Sequence, residues 1–260
     1  MLKQKNAIVT GSTSGIGLAI AKEFARQGCN LVIGGYPFEG SPDRLCSELA
    51  TEGGVKVIFW GLDLSKPENA RRLVAEAIDS LGRVDIVVNN AGAQFVSPIT
   101  ECPDEQWEFL RSLMLDAPFR IIKAVLPGMI ERGWGRIVNT SSVHGIVASP
   151  HKPAYIAAKH GLVGLTRAVA LEVAEKGVTC NAICPGLVMT DVIRKQLANQ
   201  AKVLNCTEEE ALQRVFLANM PTNRAIDPSE IAATAAFLCS DGARSITGAT
   251  IVVDGGYTAR

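Results

Sequence analysis

A chain of 260 residues is long enough to bury a substantial core and fits one large α/β domain. It is 47% hydrophobic and 20% charged, and 26 lysines and arginines balance 26 aspartates and glutamates. That balance leaves no basic surplus to hold nucleic acid or an anionic membrane, so neither is expected as a partner.

Only a few polar residues precede the first apolar run, and no apolar stretch reaches the length of a membrane span. Neither a secretory leader nor a spanning helix is expected. The seven cysteines are scattered, odd in number and without C-x-x-C spacing. Free thiols in a reduced, cytoplasmic protein, with no metal site, are the expectation.

In chain order, strand-like runs rich in Val and Ile fall at residues 7–10, 30–33, 56–61, 85–89, 136–141, 179–183 and 250–253. They are nearly continuous rather than alternating, which suits strands buried on both faces of a parallel sheet. Helical patterns lie between them: Ile16, Ile20 and Phe24 recur on one face, as do Leu73, Ala77 and Leu81. The pattern predicts one doubly wound, Rossmann-type α/β domain over residues 1–260, with a parallel seven-stranded sheet. Residues 189–221 read as a polar, helical insertion that serves as a small lid.

The first run leads into Thr10-Gly-Ser-Thr-Ser-Gly-Ile-Gly17 and then into a helix. Gly11, Gly15 and Gly17 let the backbone turn and approach a pyrophosphate, and the helix N-terminus offers unpaired N–H groups. The second run ends in Gly34-Gly-Tyr-Pro-Phe-Glu-Gly40, without an acid or arginine where a ribose would sit. Tyr36 reads either as a packing face for adenosine or as a plain turn aromatic. No Lys or Arg in the Gly-rich turn or in residues 31–40 awaits a 2′-phosphate, which favours NAD. Asp63 is positioned to accept from an adenine amino group, and Asn89-Asn-Ala-Gly92 to lie along the cofactor. A surface acid and a simple turn are the alternatives at these two places.

Tyr155 and Lys159 stand four apart and share one helix face. A phenol with pKa ~10 is a poor base at neutral pH, whereas a neighbouring ammonium favours its phenolate. Tyr155 is therefore a candidate general base for an alcohol proton, although such pairs also occur on ordinary helix surfaces. Upstream, Thr140-Ser-Ser142 ends a buried strand, where a hydroxyl is placed to orient a carbonyl oxygen.

In their order along the chain these motifs resemble the short-chain dehydrogenase/reductase family: the Thr10–Gly17 turn, Asn89–Gly92, Ser142, Tyr155 with Lys159, Pro185-Gly-Leu-Val-Met-Thr190, and the closing run 247–256. The resemblance implies an oxidoreductase with Ser142, Tyr155 and Lys159 as catalytic residues. Together these readings assign the cofactor to Gly11, Thr13, Gly15, Ile16, Gly17, Tyr36, Asp63, Leu64, Asn90, Ala91 and Gly92. Tyr155, Lys159, Pro185, Gly186, Val188 and Thr190 complete that set toward the nicotinamide. The family usually carries an asparagine in the helix after the fourth strand, where it helps hold a relay water; Met114 stands there here.

Within the family the chain is most similar to the branch that oxidises (R)-3-hydroxybutyrate to acetoacetate. The resemblance then implies a carboxylate held by Gln94, His144, Lys152 and Gln196, with Ser142 and Tyr155 at the reacting carbon. Leu187 and Tyr257 stand where that branch closes the methyl pocket with tryptophans, so longer 3- or 4-hydroxy acids are also expected. A 3-oxoacyl thioester reductase and a weakly catalytic NAD(H)-binding scaffold are the remaining readings. The family commonly forms homotetramers, and the apolar run 162–171 reads as either a subunit contact or a core helix.

Overall fold

The computed structural model describes residues 2–259. Its strands are β1 (Asn6–Thr10), β2 (Asn30–Gly34), β3 (Val57–Phe59), β4 (Ile86–Asn89), β5 (Gly135–Thr140), β6 (Val178–Pro185) and β7 (Thr250–Val253). The α-helices are α1 (Gly15–Arg26), α2 (Pro42–Gly53), α3 (Pro67–Leu81), α4 (Asp104–Arg111), α5 (Ala117–Glu131), α6 (Pro153–Glu172), α7 (Asp191–Leu204), α8 (Glu208–Ala211) and α9 (Pro228–Leu238).

The strands pair in parallel in the order β3-β2-β1-β4-β5-β6-β7. Strand order reverses between β1 and β4, which opens a crevice above their C-terminal ends. Side chains leave a strand on alternate faces, and here both faces are dry. Val9, Leu31, Ile33 and Val88 join Ile20 and Phe24 of α1 and Ile231 and Ala235 of α9 in one core. Ile8, Val32, Val87 and Ile137 join Leu73 of α3, Ile121 and Val125 of α5 and Val169 of α6 in the other. The unbroken Val and Ile runs follow from that two-sided burial. Truncating Phe24, fully buried, to alanine would cost on the order of 3–5 kcal/mol.

The sequence expectation for β3 is too long and that for β6 too short. β3 is an edge strand with only β2 to pair, so its ladder stops at Phe59. β6 extends to Pro185 because β7 runs beside it as far as Val253. A turn of π-helix, Ser112–Asp116, joins α4 to α5. Pro118 has no N–H to give Met114's carbonyl, and Ala117 N–H reaches back to Ser112 instead.

The insertion after β6 is helical, as its pattern predicts. Leu197, Ala201 and Ala211 of α7 and α8 form a small cluster separate from the two main cores.

Candidate active site

Thr10 closes β1 and organises the Gly-rich turn. Its hydroxyl accepts from the N–H groups of Asn90 (2.9 Å) and Ala91 (3.0 Å) and donates to Val88 O (3.3 Å). Asn90 answers by donating its amide to the carbonyls of Thr10 and Gly11, each at 3.1 Å. The turn and the Asn89–Gly92 segment are thus one locked unit. Any Cβ at Gly17 would run into Gly11 O and Asn90 Nδ2, so only glycine closes this packing. Gly11 adopts φ +62° with Ala91 against it. Ser14 caps α1 without a side-chain hydrogen bond, which leaves first-turn N–H groups for an anion.

A cavity of about 380 Å³ lies over this unit. Of the expected cofactor residues, Gly11, Thr13, Tyr36, Asp63, Leu64, Asn90, Ala91 and Gly92 line it. Gly15, Ile16 and Gly17 sit beneath it in α1, and Thr190 packs its methyl toward Gly15. Pro185 ends β6, and Gly186 and Val188 follow on the way to Thr190. Tyr36 is 64% exposed, its ring free to meet a flat ligand. Trp60, Leu62 and Phe109 also line the cavity and were not expected; a lone aromatic on a helix such as α4 gives no sequence signal. Among the described residues no lysine or arginine lines it. The glycine cradle, the free helix N-terminus and the apolar walls fit a dinucleotide.

At the end of β5 the catalytic candidates converge. Lys159, only 4% exposed, donates from Nζ to Thr140 O at 2.7 Å, and its Nζ stands 5.6 Å from the Tyr155 ring centroid. Burial lowers its pKa to about 8. Ser141 Oγ donates to Lys159 O at 3.0 Å and fixes that turn of α6 to the strand end. Burial pushes the Tyr155 phenol up, while its hydrogen bond with the Ser142 side chain acts the other way. Ser142 Oγ also accepts from His144 N–H at 3.1 Å.

A buried polar chain that sequence reasoning missed holds α6 in place. Asn89 Nδ2 donates to Asn139 Oδ1 (2.8 Å), Asn139 Nδ2 to Thr166 Oγ1 (2.8 Å), and Thr166 Oγ1 to Leu162 O (2.7 Å). Asparagines inside otherwise apolar strands were the available signal. Met114 is 1% exposed and packs with Leu110, Ala154, Ala158 and Tyr155, its sulfur toward Gly92.

Of the expected acid-binding residues, His144 and Lys152 lie near this center. Lys152 precedes α6, half-buried, and burial lowers its pKa. His144 is lowered by burial first and by Lys152 second, so the two lie within electrostatic reach. The His144 ring meets Tyr155 edge-on, centroids 6.3 Å apart. Ser97 N–H donates to His151 O at 2.9 Å, which ties the loop carrying Gln94 to the loop carrying Lys152. Gln94 itself is exposed, as is Gln196 on α7, and neither is hydrogen-bonded to another site residue among those described. Leu187 and Tyr257 both pack on the α1–α9 core. Asp254 holds the turn before Tyr257 by accepting from Gly256 N–H (2.8 Å) and Thr258 N–H (2.7 Å).

Crevice, glycine cradle and Ser–Tyr–Lys cluster together define a nicotinamide-dependent oxidoreductase. A family model described as enoyl-(acyl carrier protein) reductase matches residues 11–258. D-beta-hydroxybutyrate dehydrogenase of Rhizobium meliloti (strain 1021) is 45% identical over 98% of this chain and 99% of its own. The Cupriavidus necator protein of that name is 43% identical over the full length of both. L-Sorbose reductase of Gluconobacter frateurii, solved with NADPH and L-sorbose, superposes with a TM-score of 0.94 at 32% identity, covering 99% of this chain and 98% of that one. The chain belongs to the short-chain dehydrogenase/reductase family.

Proposed function

We propose that the protein oxidises a short hydroxy acid to the keto acid with NAD, (R)-3-hydroxybutyrate to acetoacetate first among them. The observation that carries this reading is the Lys152–His144 pair. Two half-buried basic groups stand beside Tyr155, and no ion pair among the described residues includes either. A carboxylate leaves water readily only where such partners wait. The relatives named for D-beta-hydroxybutyrate support the same substrate class.

Bound in the cradle, NAD would supply the hydride acceptor. Ser142 orients the substrate oxygen, Tyr155 takes the hydroxyl proton, and Lys159 holds the nicotinamide ribose and favours the phenolate. Lys152, His144, Gln94 and Gln196 hold the carboxylate, the last of these when α7 and α8 close as a lid. The separate apolar cluster of that insertion suits movement as a unit. Among the described residues, the absence of lysine and arginine from the cavity lining supports NAD over NADP, which carries a further phosphate.

Leu187 and Tyr257 favour acceptance of a longer chain, since one methylene changes such a pocket by only ~1–3 kcal/mol. The family model's description keeps reduction of an acyl thioester as the second reading. Kinetics of Lys152→Ala test the assignment. KM for the hydroxy acid should rise tenfold or more, while KM for a neutral secondary alcohol stays within about twofold. An equal effect on both substrates would remove the carboxylate site.

A further inference from the structure

The catalytic candidates lie beyond the C-terminal end of β5, with Ser142 just after the strand and Tyr155 and Lys159 on α6. At the opposite, N-terminal edge a second cleft of about 420 Å³ opens between the starts of β5 and β6 and the turn that precedes β7. Arg136 and Thr179, paired across the two strands, line it, with Trp134, Asp241 and Arg244 around the mouth.

Arg136 is 3% exposed, yet no ion pair among the described residues includes it. Its Nη1 donates to the carbonyls of Gly135 (2.8 Å) and Gly177 (3.2 Å), but its Nε is buried without an acceptor. Thr179 Oγ1 is buried and unpartnered as well. The indole of Trp134 carries the guanidinium at 4.5 Å and Lys5 Nζ at 3.6 Å from its ring. That contact offsets only part of the cost of burying an unpaired cation. Among the described residues Asp241 is the one carboxylate lining the cleft, and it lies beyond ion-pairing distance from both Arg136 and Arg244. Two cations, Arg136 and Arg244, thus line a space large enough for a small molecule together with Thr179, and Arg136 Nε and Thr179 Oγ1 are left unmatched. β5 separates it from Ser142 by roughly 20 Å at ~3.3 Å per residue, so one substrate cannot fill both places.

We propose that this cleft is a second binding site, for the carboxylate or phosphate group of a small metabolite, with Arg136 as its anchor and Arg244 at its mouth. The intact protein is titrated with sodium phosphate and, separately, sodium malonate, with sodium chloride holding ionic strength constant. Trp134, against the Arg136 guanidinium, reports by fluorescence, and calorimetry gives an independent isotherm.

Saturable binding with a dissociation constant at or below about 1 mM is expected. Arg244→Gln should weaken it tenfold or more, and Asp241→Asn should tighten it severalfold by removing a competing carboxylate. Both positions are exposed, so the fold survives either change, and turnover without added anion stays unchanged. Lys152→Ala separates this site from the substrate pocket and should leave the affinity intact. Saturation by one anion alone supports the site and assigns its chemistry. No saturation, affinity indifferent to Arg244→Gln and Asp241→Asn, or loss of binding in Lys152→Ala would each overturn the proposal.

Discussion

Lys159 carries an ammonium where water hardly reaches, and burial draws its pKa from an ordinary 10.5 to about 8. In the unfolded chain the proton stays on up to 10.5, so between these values the unfolded state binds more protons. Stability due to this group therefore rises with pH across that window and is lowest below 8. Removing the charge abolishes the dependence. The stability difference between the wild type and Lys159→Met should shift toward the wild type by a few kcal/mol from pH 8 to 10.5, as followed by thermal denaturation. A difference that stays flat across that range would contradict a depressed pKa. Met114 offers a second test, because a thioether in a dry cluster holds no water for proton transfer. Met114→Asn is predicted to raise kcat severalfold; no change or a loss counts against a missing relay. Tyr155, Lys159 and Ser142 were legible because spacing and motif carry them. The Thr10 hub and the Asn89–Asn139–Thr166 chain were not, because their partners lie 27 to 81 residues apart and meet only when the sheet forms.

Helix α6 unites the two halves of the site, since Lys152, Tyr155 and Lys159 lie at its start and Thr166 anchors its middle. Its inner face buries Ala158, Leu162, Val163 and Val169. Its outer face leaves Ala157, His160, Gly164 and Ala168 exposed at helical spacing, followed by Leu171 at 81%. Ala157, Gly164 and Ala168 in that row allow close approach of another helix, which supports the expected tetramer. Light scattering should then find a tetramer in the wild type and a smaller species in Ala168→Glu. A monomeric wild type at micromolar concentration would remove the interface. Among the elements, strands were legible because two-sided burial leaves an unbroken apolar run. The π-helical turn at 112–116 was not, since no residue period marks it. The end of β3 was hidden because it depends on having a single neighbour.

For the molecule as a whole, the reversal of strand order sets the cofactor crevice, and the sheet keeps chemistry at one end and the Arg136 cleft at the other. That architecture follows from glycine turns, apolar runs and crossover helices, all visible in sequence. The proposed acid preference rests instead on Lys152 lying within electrostatic reach of His144, whose ring meets Tyr155, and only the folded chain defines that. The most direct measurement is NADH formation from the separate R and S enantiomers of 3-hydroxybutyrate, beside a neutral secondary alcohol and with NADP in a parallel arm. The account predicts strong turnover of the R acid with NAD and little with the S acid, the alcohol or NADP. Turnover of neutral alcohols in preference to either acid, or equal efficiency with NADP, would contradict it.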